Sequence, residues 1–138
     1  MSLKNDLKGY IVASGENITS LANQLGISQQ ALSQKINNES IRYKDALRIA
    51  AILGYEIRWV SQHDRNKYME VKSEYLKNEL KGYIATAGET ISSLARELGI
   101  TQPALSQKIN NESLRYKDAE KIASLIGYRI VWERHSKI

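Results

Sequence analysis

Cysteine is absent from the chain, proline occurs once and histidine twice. The first absence removes a disulfide framework, a thiolate nucleophile and any thiolate metal site, and it fits a reducing interior. The two histidines, His63 and His135, stand far apart, and neither has a metal-ligand spacing to a pair of carboxylates. No stretch approaches the roughly 20 apolar residues of a membrane span, and the amino terminus carries no signal-like apolar segment. A Gly-rich phosphate loop is missing, no nucleophile has an evident base, and carboxylates such as Glu16 and Glu89 stand alone beside glycines. These absences predict a soluble intracellular protein that is not an enzyme, spans no membrane, and needs no cofactor, metal or small-molecule ligand.

Charge of neither sign dominates. The formal net charge is +5 at pH 7: +2 over 3–60, zero over 61–75, +1 over 76–133, and two cations in the tail, Arg134 and Lys137. So mild and dispersed an excess is compatible with nucleic acid but does not argue for it alone.

What the chain does contain is itself, twice. A shift of 73 residues aligns Leu3 to Trp59 with Leu76 to Trp132, and 39 of the 57 positions match. The polar stretch SQQALSQKINNES, Ser28 to Ser40, returns as TQPALSQKINNES, Thr101 to Ser113. The period exceeds that of solenoid repeats and occurs only twice, which predicts a duplicated small domain over 1–60 and 76–133, a linker over 61–75 and a tail over 134–138. Domains this small have thin cores, so each half is expected to lean on the other.

Each copy reads as four helices and a strand. Leu3, Leu7, Tyr10 and Ile11 share a helical stripe that ends at Gly15, repeated by Leu76, Leu80, Tyr83 and Ile84 up to Gly88. Asn17 and Thr90 are cap candidates for a second helix, which Gly26 and Gly99 stop. Ser28 and Thr101 then cap a third helix carrying Leu32 and Ile36, or Leu105 and Ile109. So short a turn predicts a steep crossing, with Ala22 and Ala95 at the close approach. Pro103 falls in the first turn of its helix, where its missing N–H costs no intrahelical bond. A fourth helix uses Ala46, Ile49, Ala50 and Leu53, matched by Ala119, Ile122, Ala123 and Ile126, with Gly54 and Gly127 as stops.

The period then changes from 3.6 to 2. YEIRWV and YRIVWE alternate apolar and polar positions, so each copy ends in a short strand with no ladder partner in its own unit. Antiparallel pairing of the two strands would satisfy both backbones and bury Ile57, Trp59, Ile130 and Trp132 as the interface between the halves. The linker SQHDRNKYMEVKSEY is polar at first and helix-compatible from Lys67. The predicted fold class is therefore all-α dominated: two tandem four-helix units whose terminal strands pair into a pseudo-two-fold whole.

The segments LANQLGISQQALSQKINN (Leu21 to Asn38) and LARELGITQPALSQKINN (Leu94 to Asn111) combine a mid-helix alanine, a glycine turn, a Ser or Thr cap and a second short helix. The chain thereby resembles the Cro and phage-repressor helix-turn-helix family over about 100 of its 138 residues. Lys35 and Lys108 stand where that family commonly has an apolar residue, and Asn38 and Asn111 where it has glycine, a mild departure because Asn tolerates a left-handed backbone. The resemblance implies a prokaryotic, cytoplasmic DNA-binding protein. It implies base contacts by Gln29, Gln30, Ser33 and Gln34 in copy one and by Gln102, Pro103, Ser106 and Gln107 in copy two. It further implies phosphate contacts at the start of the second helix, near Asn17, Thr19 and Ser20, and near Thr90, Ser92 and Ser93.

The residues themselves add to this. With Leu32 and Ile36 facing inward, Gln29, Gln30, Ser33 and Gln34 must point outward, and a glutamine amide can bond bidentately to adenine. Proline at 103 offers no donor, which predicts an imperfect palindrome. Lys35, Asn37, Asn38, Arg42 and Lys44, with Lys108, Asn110, Asn111, Arg115 and Lys117, are the flanking phosphate candidates, diluted by Glu39, Glu112, Asp45 and Asp118. Tyr43 and Tyr116 are expected to cover the start of the fourth helix. The expectation is a transcriptional repressor that reads a pseudopalindromic DNA duplex as a monomer with two reading heads. The alternatives are a protein-binding regulator of inhibitor or antitoxin type, or a homodimer with the strands paired between chains.

Overall fold

Two helix starts in the first copy follow from a side chain that replaces a missing backbone partner. In the computed structural model, which describes residues 3–64, 66–69, 80–82, 84–85 and 87–134, α1 (Leu3–Ala13) buries Leu7 and Ile11. α2 (Ile18–Leu25) opens with a reciprocal cap: Asn17 Oδ1 accepts from the Ser20 N–H at 2.8 Å and Ser20 Oγ from the Asn17 N–H at 3.1 Å. Gly26, at φ +75°, ends it in the left-handed region. The Ser28 hydroxyl then accepts from the Ala31 N–H at 3.0 Å to start α3 (Gln29–Asn37). α4 (Tyr43–Leu53) follows and carries the deepest stripe, from Tyr43 to Leu53.

The second copy repeats this. Residues 80–82 and 84–85 are helical, and α5 (Ile91–Leu98), α6 (Gln102–Asn110) and α7 (Tyr116–Leu125) correspond to α2, α3 and α4. Thr90 and Ser93 form the same reciprocal cap, and Pro103 lies in the first turn of α6 as expected.

Among the described residues the fold is helix-rich with one antiparallel sheet. Strands β1 (Tyr55–Ser61), β2 (Tyr68–Met69) and β3 (Tyr128–Arg134) lie in the order β2-β1-β3. β1 pairs with β3 along its whole length, with Ile57 opposite Trp132, Trp59 opposite Ile130 and Arg58 opposite Val131. Shifting either strand by the repeat period maps this register onto itself, with Arg58 and Val131 at the centre. The loops before α4 and α7 obey the same relation. Tyr43 N–H donates to Leu114 O and Tyr116 N–H to Ile41 O, both at 2.8 Å, around the bridge between Arg42 and Arg115. An approximate two-fold therefore passes through both junctions.

The sheet rests its apolar face on the helices. Trp59 is fully buried and its indole N–H donates to Tyr43 Oη at 2.9 Å, while Trp132 Nε1 does the same to Tyr116 Oη at 2.9 Å. Trp132 also stacks at 5.0 Å on Tyr10 of α1, so the first helix of copy one packs on the strand of copy two. Burying one large aromatic of this kind contributes on the order of 4 kcal/mol. Ile57 and Trp132, and Trp59 and Ile130, face each other across the β1–β3 ladder.

Three expectations are corrected. Tyr68 and Met69 form a strand against β1, opposite Val60 and Trp59, so the chain is not helical directly from Lys67; the rest of that stretch falls outside the described residues. The sheet has a third strand where two were expected, because the polar segment after Ser61 turns back at once, with Lys67 O accepting from Ser61 N–H at 2.9 Å. The left-handed residue after α3 is not Asn38, at φ −86°, but Glu39, at φ +53°, and Glu112 repeats it at +56° after Asn111.

Candidate functional site

The outer face of α3 is where the sequence placed its reading residues. Leu32 and Ile36 are buried, which leaves Gln29, Gln30 and Gln34 exposed and Ser33 half-buried. Gln29 and Ser33 are not free of one another: Gln29 Nε2 donates to Ser33 Oγ at 3.2 Å, one helical turn on. In α6 the Gln102 amide donates to Ser106 Oγ at 3.1 Å, beside exposed Pro103 and Gln107.

Six of the sixteen residues proposed for phosphate contact are occupied locally. Asn17 and Ser20 cap α2, and Ser20 Oγ also donates to Glu16 Oε1 at 2.8 Å. Thr90, Ser93 and Glu89 repeat the set. Arg42 Nε donates to Asp45 Oδ2 at 3.2 Å and Arg115 Nε to Asp118 Oδ2 at 3.1 Å. These two arginines are drawn to the junction of the copies. Thr19, Asn37, Asn38, Ser92, Asn110 and Asn111 are exposed, and Lys35, Lys44, Lys108 and Lys117 are half-buried.

A groove of about 460 Å³ opens between the last turns of α1, the cap of α2 and the flank of α3. Ile11, Val12, Ile18 and Ile36 supply its apolar surface, and Lys8, Glu16, Asn17, Ser33 and Asn37 its polar rim. Val12 is 77% exposed, the most exposed large apolar side chain among the described residues. Glu16 is fixed there by Ser20 and by Gln24 Nε2, which donates to it at 3.1 Å. Such a mixed lining suits a neutral ligand with alternating apolar and hydroxyl surfaces. The sequence reading missed this groove, since Val12 registers only as one apolar residue off the buried stripe of α1. A smaller recess of about 180 Å³ lies between α1, α7 and β3, with Asp6, Tyr10, Glu120 and Trp132 around it.

A family model for the LysM domain matches residues 10–41, about a quarter of the chain. No curated protein and no solved structure matches it. LysM domains are peptidoglycan- and chitin-binding modules. The match overturns the Cro and phage-repressor assignment, because the stretch Leu21 to Asn38 that carries that likeness lies within it. Double-stranded DNA as partner and the repressor function fall with it. The protein-binding alternative gains no support either. The physical reason is that an apolar-periodic helix, a glycine turn and a Ser or Thr cap specify how two helices join, and leave the ligand undetermined.

Proposed function

We propose that the chain is a non-catalytic glycan-binding protein that holds an N-acetylated saccharide of the peptidoglycan or chitin class in the groove between α1 and α3. The observation that carries this reading is positional: of the groove's nine lining residues, all but Lys8 fall within the segment that matches the LysM family. The chemistry is suitable. Asn37 offers an amide donor and acceptor and Ser33 a hydroxyl, which together complement the hydroxyl and acetamido groups of a sugar. Val12 and Ile18 provide an apolar surface for the acetyl methyl and the C–H face of the ring. Glu16, engaged by Ser20 and Gln24, acts here as a structural acceptor. Among the described residues no aromatic ring lines the groove, so binding of a short oligosaccharide should be weak, with a Kd on the order of 1 mM.

In this reading the two copies are one four-helix unit used twice with its terminal strand, and the helix-turn-helix geometry of α2 and α3 is the wall of a binding groove. The experiment is a titration of isotope-labelled protein with N-acetylglucosamine oligomers, followed by amide shifts. Saturable shifts at Val12, Ser33 and Asn37 are expected. An unchanged spectrum, together with no retention on insoluble chitin or peptidoglycan, would remove the proposal.

A further inference from the structure

The two-fold relation between the copies breaks at the sheet's edges. On the far side of β1, Trp59 and Val60 pair with Met69 and Tyr68 of β2. The equivalent positions on β3 are Trp132 and Glu133, and their outer edge has no strand against it among the described residues.

Backbone direction makes that edge usable. Gln62 N–H donates to Gly127 O at 2.8 Å across the β1–β3 ladder, so Gly127 and, by alternation, Arg129, Val131 and Glu133 direct their N–H and C=O groups toward β1. Ile130 and Trp132 direct theirs outward. An exposed edge of this kind is a template for another strand.

We propose that the outer edge of β3 pairs antiparallel with the β3 of a second copy of this chain, centred on Val131. That register places Ile130 opposite the partner's Trp132, so that the outward backbone groups exchange both hydrogen bonds. On the other face it places Arg129 opposite the partner's Glu133, twice by symmetry. Arg129 and Glu133 are both exposed, and Glu133 already accepts from Arg58 Nη1 at 3.2 Å, which holds its carboxylate on this face. A shift of one residue in either direction loses both opposite-charge pairs. Opposite charges directly across a ladder stabilise it and like charges oppose it. The result joins two three-stranded sheets into one continuous sheet about a new two-fold. This contact is independent of the glycan reading.

The edge buries little area, so the dimer should be weak, with a dissociation constant on the order of 100 µM. Sedimentation equilibrium of the full chain tests it, with amide hydrogen exchange as the positional readout. Wild type should dimerise at high concentration, and the Ile130 and Trp132 amides should gain protection as concentration rises. Arg129→Glu should weaken dimerisation by about tenfold, and Arg129→Glu with Glu133→Arg should restore it. Circular dichroism of each variant separates loss of pairing from loss of fold; if a variant unfolds, the concentration dependence of the wild-type amides decides alone. A chain that stays monomeric throughout, or a dimer that is indifferent to Arg129→Glu and leaves both amides unprotected, overturns the proposal.

Discussion

The indole N–H of Trp59 donates to the hydroxyl of Tyr43 at 2.9 Å, with both side chains almost wholly buried. The hydroxyl is the only reason a buried indole is tolerable there, since an unmet donor in an apolar core is costly. Tyr43→Phe should therefore destabilise the protein by about 1–3 kcal/mol in urea denaturation. Tyr116→Phe should cost less, because Trp132 is only half-buried and water can reach its N–H. Equal losses at the two positions would contradict this.

Because the strands and the loops at Ile41 and Leu114 bind the copies to each other, the chain should unfold in one step. Trp59→Ala should cost about 3–5 kcal/mol and lower the stability of both copies together. Hydrogen exchange at Leu32 in α3 and Leu105 in α6 should accelerate by the same factor. Separate responses of the two amides would show that the copies fold independently.

Glu39 and Glu112 occupy the left-handed region at φ +53° and +56°, where an L side chain is strained and glycine is not. Glu39→Gly should stabilise by about 0.5 kcal/mol after the greater chain entropy of glycine is deducted. The double change with Glu112→Gly should add, since the sites share no partner. Chemical denaturation measures both.

Burial holds the Glu120 carboxyl above the ordinary carboxylate range; the terminal amine opposes it, and Asp6 and then Glu39 add smaller contributions in the direction of burial. A carboxyl whose pKa is raised on folding favours the folded state when protonated, and that contribution is lost as the pH rises through its folded value. Glu120→Gln should therefore raise Tm by about 2 °C at neutral pH, a modest figure because the group is only half-buried. The gain should vanish below pH 4, under the ordinary value of 4.5. A gain that persists at low pH would point to packing instead of charge.

Val12 projects into the groove with little contact of its own, so changing it separates binding from folding. Val12→Asp should leave Tm within about 1 °C of wild type. The same change should abolish the shifts produced by N-acetylglucosamine oligomers, and Asn37→Ala should weaken them by about threefold. Thermal melts and the amide titration give both readings.

Much of the fold was legible because its instructions are local. The caps at Asn17, Ser28, Thr90 and Thr101, the stops at Gly26 and Gly54 and the change of period at Tyr55 each act within a few residues. A lone strand at the end of each copy also implies its partner, since buried backbone groups must be paired. Harder to read was the turn after Ser61: Tyr68 and Met69 lie in a stretch whose composition suits a helix, and a tertiary pairing with β1 decides their conformation. Asn38 had the better local credentials for a left-handed backbone, yet Glu39 takes it, because the end of α3 is set by where Ile41 must enter the core.

The ligand was the least legible. The glutamines on α3 invite a reading as recognition groups, but their outward direction follows from the burial of Leu32 and Ile36 and would be the same on any helix with that stripe. By itself the sequence determined the helices, their junctions and the duplication, since propensity, capping and periodicity are properties of neighbouring residues. Only the tertiary structure decided that Tyr10 lies on Trp132, that Arg42 meets Arg115, and that Val12 and Asn37 flank one groove. Those meetings depend on how separate elements pack, and no local pattern encodes the distance between residues that the chain holds far apart.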